Sequence, residues 1–396
     1  MPTIAPVDQL AARRAAWAVA AVFAVNGMGF ATWSSRIPAI KAALDLDPAQ
    51  LGGLLMCGSI GSLVGLPLAG AVTSRIGAAR TVMGGLAVFC VGLALLGIAT
   101  DLLHLHLLAA AGFALLGIGL GTWDVAMNIE GAAVEQHLGR AIMPWFHAGF
   151  SGGTVVMALL TAGLSFLHVP VWAHLVTVAV LWPLIGWLAV RGFLPATAEE
   201  HHEEREPRPS SAKAWTERRT LLIGVVVLVA ALTEGTANDW VSVAFIEGHH
   251  LPQWAGVLAF ATFLTAMTLG RLVGTSALDR YGRVPVLRGL FVLAALGSLL
   301  VVFGNPMLAY VGAAIWGIGA SLGFPVGMSA ASDDPRHAAA RVSVVSTIGY
   351  LAFLAGPPFL GFLGNHVGVL RSLLLVGALA VVALVLVPAT REQRSA

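Results

Sequence analysis

Two acids in this chain stand where acids are rarely tolerated. Asp124 follows LLAAAGFALLGIGLGTW (107–123), and Glu234 follows LLIGVVVLVAALT (221–233). Each has an asparagine four residues on, Asn128 and Asn238, which a helix would place on the same face. A carboxyl in hydrocarbon costs at least about 2.5–3.5 kcal/mol at a helix centre on insertion scales, so it faces a cavity or a partner and usually works there. Such a carboxyl can take up and release a proton. The amide beside it can donate to and accept from a small polar molecule. Glu234 and Asp124 are therefore the candidate proton-handling groups, and Asn128 and Asn238 the candidate contacts to a bound solute.

Further polar and aromatic residues join this set. Asn26 lies in VNGMGF (25–30), His147 in MPWFHAGFSGG (143–153), and Asp239 and Trp240 directly follow Asn238. Histidine titrates near neutral pH and suits proton relay or solute contact. Trp123 and Trp240, like Trp145, can stack on sugar faces or on lipophilic rings. Each has a plainer reading: a packed histidine, a hydrogen-bonded amide, a core tryptophan. Glu130 is expected at the interface or in the loop beyond. Arg271 is expected to snorkel toward the nearby loop, and Arg36, in WSSRIP, to sit at an outer mouth. The pair His201–His202 reads as solvated loop, because no further ligand pattern surrounds it.

Composition says which elements must hold these groups. Hydrophobic residues make up 58% of the chain and charged residues 11%, against about 25% charged in a soluble domain. Apolar runs recur at regular spacing, and a bilayer core needs about 20 such residues per helix. Spans are predicted over 15–33, 51–72, 81–100, 105–128, 144–167 and 169–190, then over 221–246, 254–278, 284–303, 307–330, 342–363 and 370–387. That divides the chain into a six-helix half (1–190), a polar linker (191–219) with a short interfacial helix near 212–217, and a second six-helix half (220–396). With the N-terminus inside, inner segments hold eighteen Lys and Arg residues and outer loops three; the positive-inside rule then puts both termini in the cytoplasm. Arg13–Arg14 before the first span resemble a signal-peptide start, but the span is expected to be kept, because it completes a six-helix half. Cys57 and Cys90 lie in apolar runs and fit neither a disulfide framework nor a metal site.

The halves echo one another. SRIG (74–77) answers DRYG (279–282) at an offset of 205, and GIG (117–119) answers GIG (317–319) at an offset of 200. In LDRYGR (278–283), Gly282 permits a tight turn, Asp279 can meet a positive group or a helix N-terminus, and Arg280 and Arg283 hold the loop at the membrane surface. The first-half copy has Ser74 where the acid would be and Ala78 where a base would be.

With these residues in view, the chain resembles the major facilitator superfamily over essentially its whole length, and within it bacterial inner-membrane permeases related to the fucose permeases. The resemblance rests on SRIPAI (35–40), DVAMNIEG (124–131), MPWFHAGFSGG (143–153), EGTANDW (234–240), GYLAFLAGPPFLG (349–361) and the LDRYGR loop. It implies an all-α protein of twelve transmembrane helices in two parallel six-helix repeats, with Asp279, Arg280, Gly282 and Arg283 helping to close a cytoplasmic gate. Fucose permeases carry an acid in the fourth helix followed by an Asn four positions on, which Asp124 and Asn128 match with Asp in place of the usual Glu. Their first helix also carries an acid; here the first span offers only Asn26. The expected activity is secondary active transport of a small polar, sugar-like solute by alternating access, coupled to protons, in a monomer of the bacterial inner membrane. No enzyme, cofactor, metal or nucleic-acid partner is expected. The rival readings are a proton-driven efflux antiporter for drugs or metabolites and a membrane sensor or scaffold that does not transport.

Overall fold

The computed structural model describes residues 9–140, 142–194, 211–334 and 336–392; His201 and His202 lie outside them. Every regular element among the described residues is helical. In chain order these are α1 (Gln9–Ser34), α2 (Ile37–Ala43), α3 (Pro48–Ile76), α4 (Ala78–Ile98), α5 (His106–Leu138), α6 (Met143–Phe166), α7 (Val171–Val190) and the single turn α8 (Ser211–Ala214). They continue as α9 (Arg218–Gly248), α10 (Gln253–Tyr281), α11 (Arg283–Phe303), α12 (Pro306–Ala320), α13 (Gly323–Ala331), α14 (Ala338–Val367), α15 (Val369–Ser372) and α16 (Leu374–Leu386). Taking α1–α2, α12–α13 and α15–α16 as continuous stretches, twelve are long and apolar enough to cross a membrane. Large apolar side chains stand open on their faces, Leu107 at 85%, Val180 at 68% and Val385 at 76% exposed. Lipid solvates such faces and water does not.

Local chemistry sets the helix ends. Asn305 Oδ1 accepts the Leu308 N–H at 3.0 Å and Pro306 occupies the first helical position, so α12 starts there. Gly139, with φ 64°, ends α5. Gly77 (φ 82°) and Gly282 (φ 77°) make the two tight turns between α3 and α4 and between α10 and α11. Both turns need a residue without a Cβ, which is what the two echoing loops supply.

The chain forms two compact units, residues 1–46 with 54–204, and residues 47–53 with 205–396. In the first, α1 packs on α6, and α4 on α5 and α7. In the second, α9 is central and packs on α14, α10 and α13, while α11 packs on α12 and α16. One apolar cluster there joins Val226, Leu287, Phe291, Leu322 and Ala383.

The internal repeat is written into helix packing. A Cβ on Gly117 would strike the Gly58 carbonyl, and one on Gly317 the Phe263 carbonyl. A Cβ on Gly119 would strike the Phe89 nitrogen, and one on Gly319 the Ala294 nitrogen. The glycines are related by an offset of 200 and their partners by 205, the same two offsets seen in the sequence motifs. Small residues let backbones approach where no hydrophobic force separates helix from lipid. The same close crossings therefore recur at the same places in both units.

Candidate functional site

In the second unit, Glu234 sits one residue past the midpoint of α9 and points at α10. Arg271 Nη2 donates to both of its carboxylate oxygens, each at 3.1 Å. The two side chains remain 21% and 31% exposed. Arg271 therefore does not snorkel to the loop as expected; it reaches sideways to an acid on the neighbouring helix. Its Nε donates to the Ser321 carbonyl at 3.1 Å. That carbonyl is free for a local reason. The α-helical donor to residue 321 would be the N–H of residue 325, which is Pro325, so the helix breaks between α12 and α13. The broken helix leaves an acceptor and Arg271 takes it, which fixes the guanidinium beside Glu234.

Asn238, one turn along α9, carries an enclosed Oδ1 with no partner among the described residues, and Asp239 beside it is half-buried. Trp240 is wholly enclosed. It presents no face for stacking, so the expectation of a solute contact there gives way to a core role.

In the first unit, α5 runs well beyond the predicted end of its span, to Leu138. Asp124 therefore stands two residues past the helix midpoint rather than near the inner end. It is half-buried. Asn128 does share its face, but Nδ2 donates to the Asp124 main-chain oxygen at 2.8 Å and leaves the carboxyl alone. Trp123 lies on another side of α5, 1% exposed, edge-on to Phe89 at 6.1 Å. It fills the seam between α4 and α5 and is likewise not a stacking platform. Asn26 is 1% exposed, with Nδ2 unpartnered among the described residues. His147 is exposed and stands edge-on to Phe23 at 5.2 Å.

Two further expectations change. Glu130 is inside the helix and fully buried, where Oε1 accepts the Leu194 N–H at 2.7 Å; it ties the chain after α7 to α5. Arg36 is 2% exposed rather than at a mouth. Its Nε donates to His174 Nδ1 at 3.1 Å, and Nη1 reaches Ser165 Oγ at 3.4 Å. Its partners lie on α7 and α6.

The loop between α10 and α11 is built differently from its expected pairing. Asp279 is exposed and has no ion-pair partner among the described residues. Arg280 lies over the Tyr281 ring at 5.3 Å. Arg283 instead finds Asp333: Nη1 donates to Oδ1 at 2.7 Å, and Arg219 Nη2 donates to Oδ2 at 2.8 Å. The Arg283 N–H also donates to Glu392 Oε1 at 3.0 Å. Beside this network, Arg341 Nε donates to Glu217 Oε2 and His337 Nδ1 meets Asp334 Oδ2, both at 2.7 Å. The Arg341 hydrogen bond holds the Glu217 carboxyl below its ordinary 4.5, and the His337 contact holds Asp334 below its ordinary 3.8. Asp333 escaped the sequence reading. Its signal was ASDDPRH (331–337), a doublet of acids in a chain with few.

No group of three or more His, Cys, Asp or Glu residues among the described residues could hold a metal ion. Each unit thus carries an acid near the middle of a long helix: Glu234, salt-bridged to Arg271, and Asp124, with no ion pair among the described residues.

Known proteins share that architecture. An uncharacterised MFS-type transporter of Yersinia pestis is 34% identical over 351 residues, covering 87% of each chain. The membrane protein MosC of Rhizobium meliloti is 28% identical over 368 residues, covering 92% of this chain and 87% of its own. Among solved structures, the nucleoside transporter NupG superposes with a TM-score of 0.75 at 14% identity, over 96% of this chain and 99% of its own. A variant of the E. coli fucose:proton symporter FucP gives 0.63 at 13% identity, over 96% and 98%. The sequence matches the Major Facilitator Superfamily over residues 19–264 and 253–396. With twelve apolar helices, a repeated set of helix crossings and these relatives, the chain belongs to the Major Facilitator Superfamily, whose members are transporters and not enzymes.

Proposed function

We propose that this protein carries a small polar solute across the cell membrane by alternating access, coupled to the movement of protons, with Glu234 as the principal proton carrier. The observation that carries the reading is the Glu234–Arg271 pair: a carboxylate one residue past the midpoint of a spanning helix, held by one guanidinium nitrogen and still partly open. Protonation of Glu234 removes the negative charge and frees Arg271. A mid-membrane ion pair that can be broken by a proton supplies two electrostatically distinct states, which coupling requires. Asp124 is a second acid near the middle of its own helix and serves as the second titrating group. Asn128 and His147 in the first unit, and Asn238 and Asp239 in the second, are the polar side chains each unit offers to a solute; Asn26, 1% exposed, is enclosed as Trp123 is.

FucP is a fucose:proton symporter and NupG a nucleoside transporter, so a polar solute of that size, taken up with a proton, is the reading favoured here. The distribution of Lys and Arg supports cytoplasmic termini, and the bacterial relatives favour an inner-membrane setting. In that orientation Asp279, Arg280, Gly282 and Arg283 serve the cytoplasmic gate, with Asp333 holding Arg283 in place. The functional halves are taken as residues 1–190 and 220–396, joined by 191–219, in a monomer.

The test is uptake into proteoliposomes under an imposed inward proton gradient, with labelled fucose, uridine and gluconate as probes. Accumulation above equilibrium that collapses with a protonophore and is lost in Glu234→Gln supports the reading. Gradient-driven accumulation undiminished in Glu234→Gln refutes the role of Glu234.

A further inference from the structure

Salt bridges in one protein can be compared directly. Asp333 receives two arginines at 2.7 and 2.8 Å, the usual length for a charge-assisted bond. Glu234 receives a single nitrogen shared between both oxygens at 3.1 Å. Arginine binds carboxylates best through two parallel bonds, and here only Nη2 is used. Nε is committed to Ser321, and Nη1 has no partner among the described residues. The guanidinium is therefore anchored by a main-chain acceptor that does not depend on Glu234. It keeps donors to spare, and it holds its acid loosely.

An arginine needed only to neutralise Glu234 would not require that second anchor. The break at Ser321–Pro325 is the feature that creates it, and the first unit has no counterpart: its fourth span, α5, runs unbroken through the corresponding residues. The second unit thus uses a helix break to fix one guanidinium in a partly open position at membrane depth.

We propose that Arg271 is the receptor for a carboxylate on the transported solute, and that Glu234 occupies it while the solute is absent. This rests on the reading of Glu234 as the proton carrier. A proton taken by Glu234 vacates Arg271, the solute's carboxylate replaces that of Glu234, and net charge at the pair is conserved. Asn238, one turn away with an acceptor unpartnered among the described residues, suits a hydroxyl or amino hydrogen on the same solute. The cargo class is then a small hydroxy- or amino-carboxylate.

Among the described residues of the helices packed on α9, no other charge competes at that depth. α9 packs on α10, α12, α13, α14, α15 and α16. Besides Arg271 these carry Asp279 and Arg280 at one end of α10, Arg341 and His366 at the two ends of α14, and Arg371 on α15. Arg341 is already held by Glu217. On α9 itself Asp239 is the nearest further acid.

The experiment uses the purified full-length protein and matched probes that differ in charge: lactate with lactamide, and galacturonate with galactose. Thermal stabilisation reads binding, and a pH dye in weakly buffered detergent solution reads proton uptake. The proposal expects stabilisation by the carboxylate of each pair and not by its neutral partner, stronger at acid pH and accompanied by proton uptake. Arg271→Gln should weaken carboxylate binding at least about tenfold, with Arg271→Lys intermediate. Glu234→Gln should bind carboxylates without the pH dependence. Equal stabilisation by neutral and charged partners, stabilisation that survives in Arg271→Gln, or none by any carboxylate in the set overturns the proposal. Two outcomes separate it from the reading beneath it. Carboxylates binding through Arg271 with no proton taken up would sink the proton-carrier role and keep the receptor. Neutral sugars binding with proton uptake would do the reverse.

Discussion

The Asp333 network gives a stability prediction whose size follows from its geometry. Asp333 is 9% exposed and takes Arg219 on one oxygen and Arg283 on the other, while the arginines are 24% and 18% exposed. Two unit charges about 4 Å apart attract by roughly 4 kcal/mol at an effective dielectric of about 20. Desolvation and side-chain ordering offset most of that. Exposed pairs are worth about 0–1 kcal/mol, while breaking a buried pair costs about 3–5. This carboxylate is enclosed and its partners are not quite, so Asp333→Ala should cost about 2–4 kcal/mol. Asp333→Asn should recover little. An amide keeps one acceptor oxygen for one arginine and turns an NH2 toward the other. Equilibrium unfolding in detergent micelles, followed by tryptophan fluorescence, reads the loss. The double cycle with Arg219→Gln should give a coupling energy of about 1–2 kcal/mol. Costs for Asp333→Ala and Asp333→Asn both within about 0.5 kcal/mol of zero would show that the ion pairs do not hold these helix ends together.

Two more expectations follow from helix packing and from the outlying carboxylates. Gly117→Leu and Gly317→Leu should each cost about 1–3 kcal/mol through overpacking, because even a Cβ would meet main chain there, whereas Gly84→Leu and Gly163→Leu, with nothing within 4 Å, should be nearly neutral; comparable melting losses in all four variants would contradict the shared-crossing account. Glu217 is held below its ordinary value of 4.5 chiefly by Arg341, so its contribution is present above that value and fades as pH falls through the lower folded one. Glu217→Gln should accordingly flatten the acid limb of the stability profile below about pH 4.5 and leave its shape near neutrality unchanged. An acid limb as steep as in the unchanged protein would assign that limb to other groups.

What the sequence disclosed and what it hid follow from the range of the interactions. Helices and their count were legible because a bilayer demands long apolar runs, and the repeat was legible because the glycines that let helices cross recur at fixed offsets. Asp124, Glu234 and their asparagines were legible because acids in such runs stand out. Helix ends were not: EGAAVEQHL (130–138) is polar enough to read as loop, yet α5 continues through it to Gly139, which moved both Asp124 and Glu130 deeper. Pairings between helices were hidden as well. Arg271 looked free to snorkel because its partner is 37 residues earlier, on another helix. Its second partner is a carbonyl freed by Pro325, a signal present in the sequence but meaningful only once Arg271 is known to face it. Trp123 and Trp240 misled because tryptophan suits a binding surface and a packed seam equally, and only burial separates the two.

The central claim is that Glu234 takes and gives up a proton within the membrane. Infrared difference spectra of the reconstituted protein between alkaline and acid pH test it without requiring the solute to be known. A protonated-carboxyl component that grows on acidification, is lost in Glu234→Gln and remains in Asp124→Asn, is the predicted result. A difference spectrum unchanged by Glu234→Gln would mean that the Glu234–Arg271 pair stays closed to protons, and the coupling account built on it would fall.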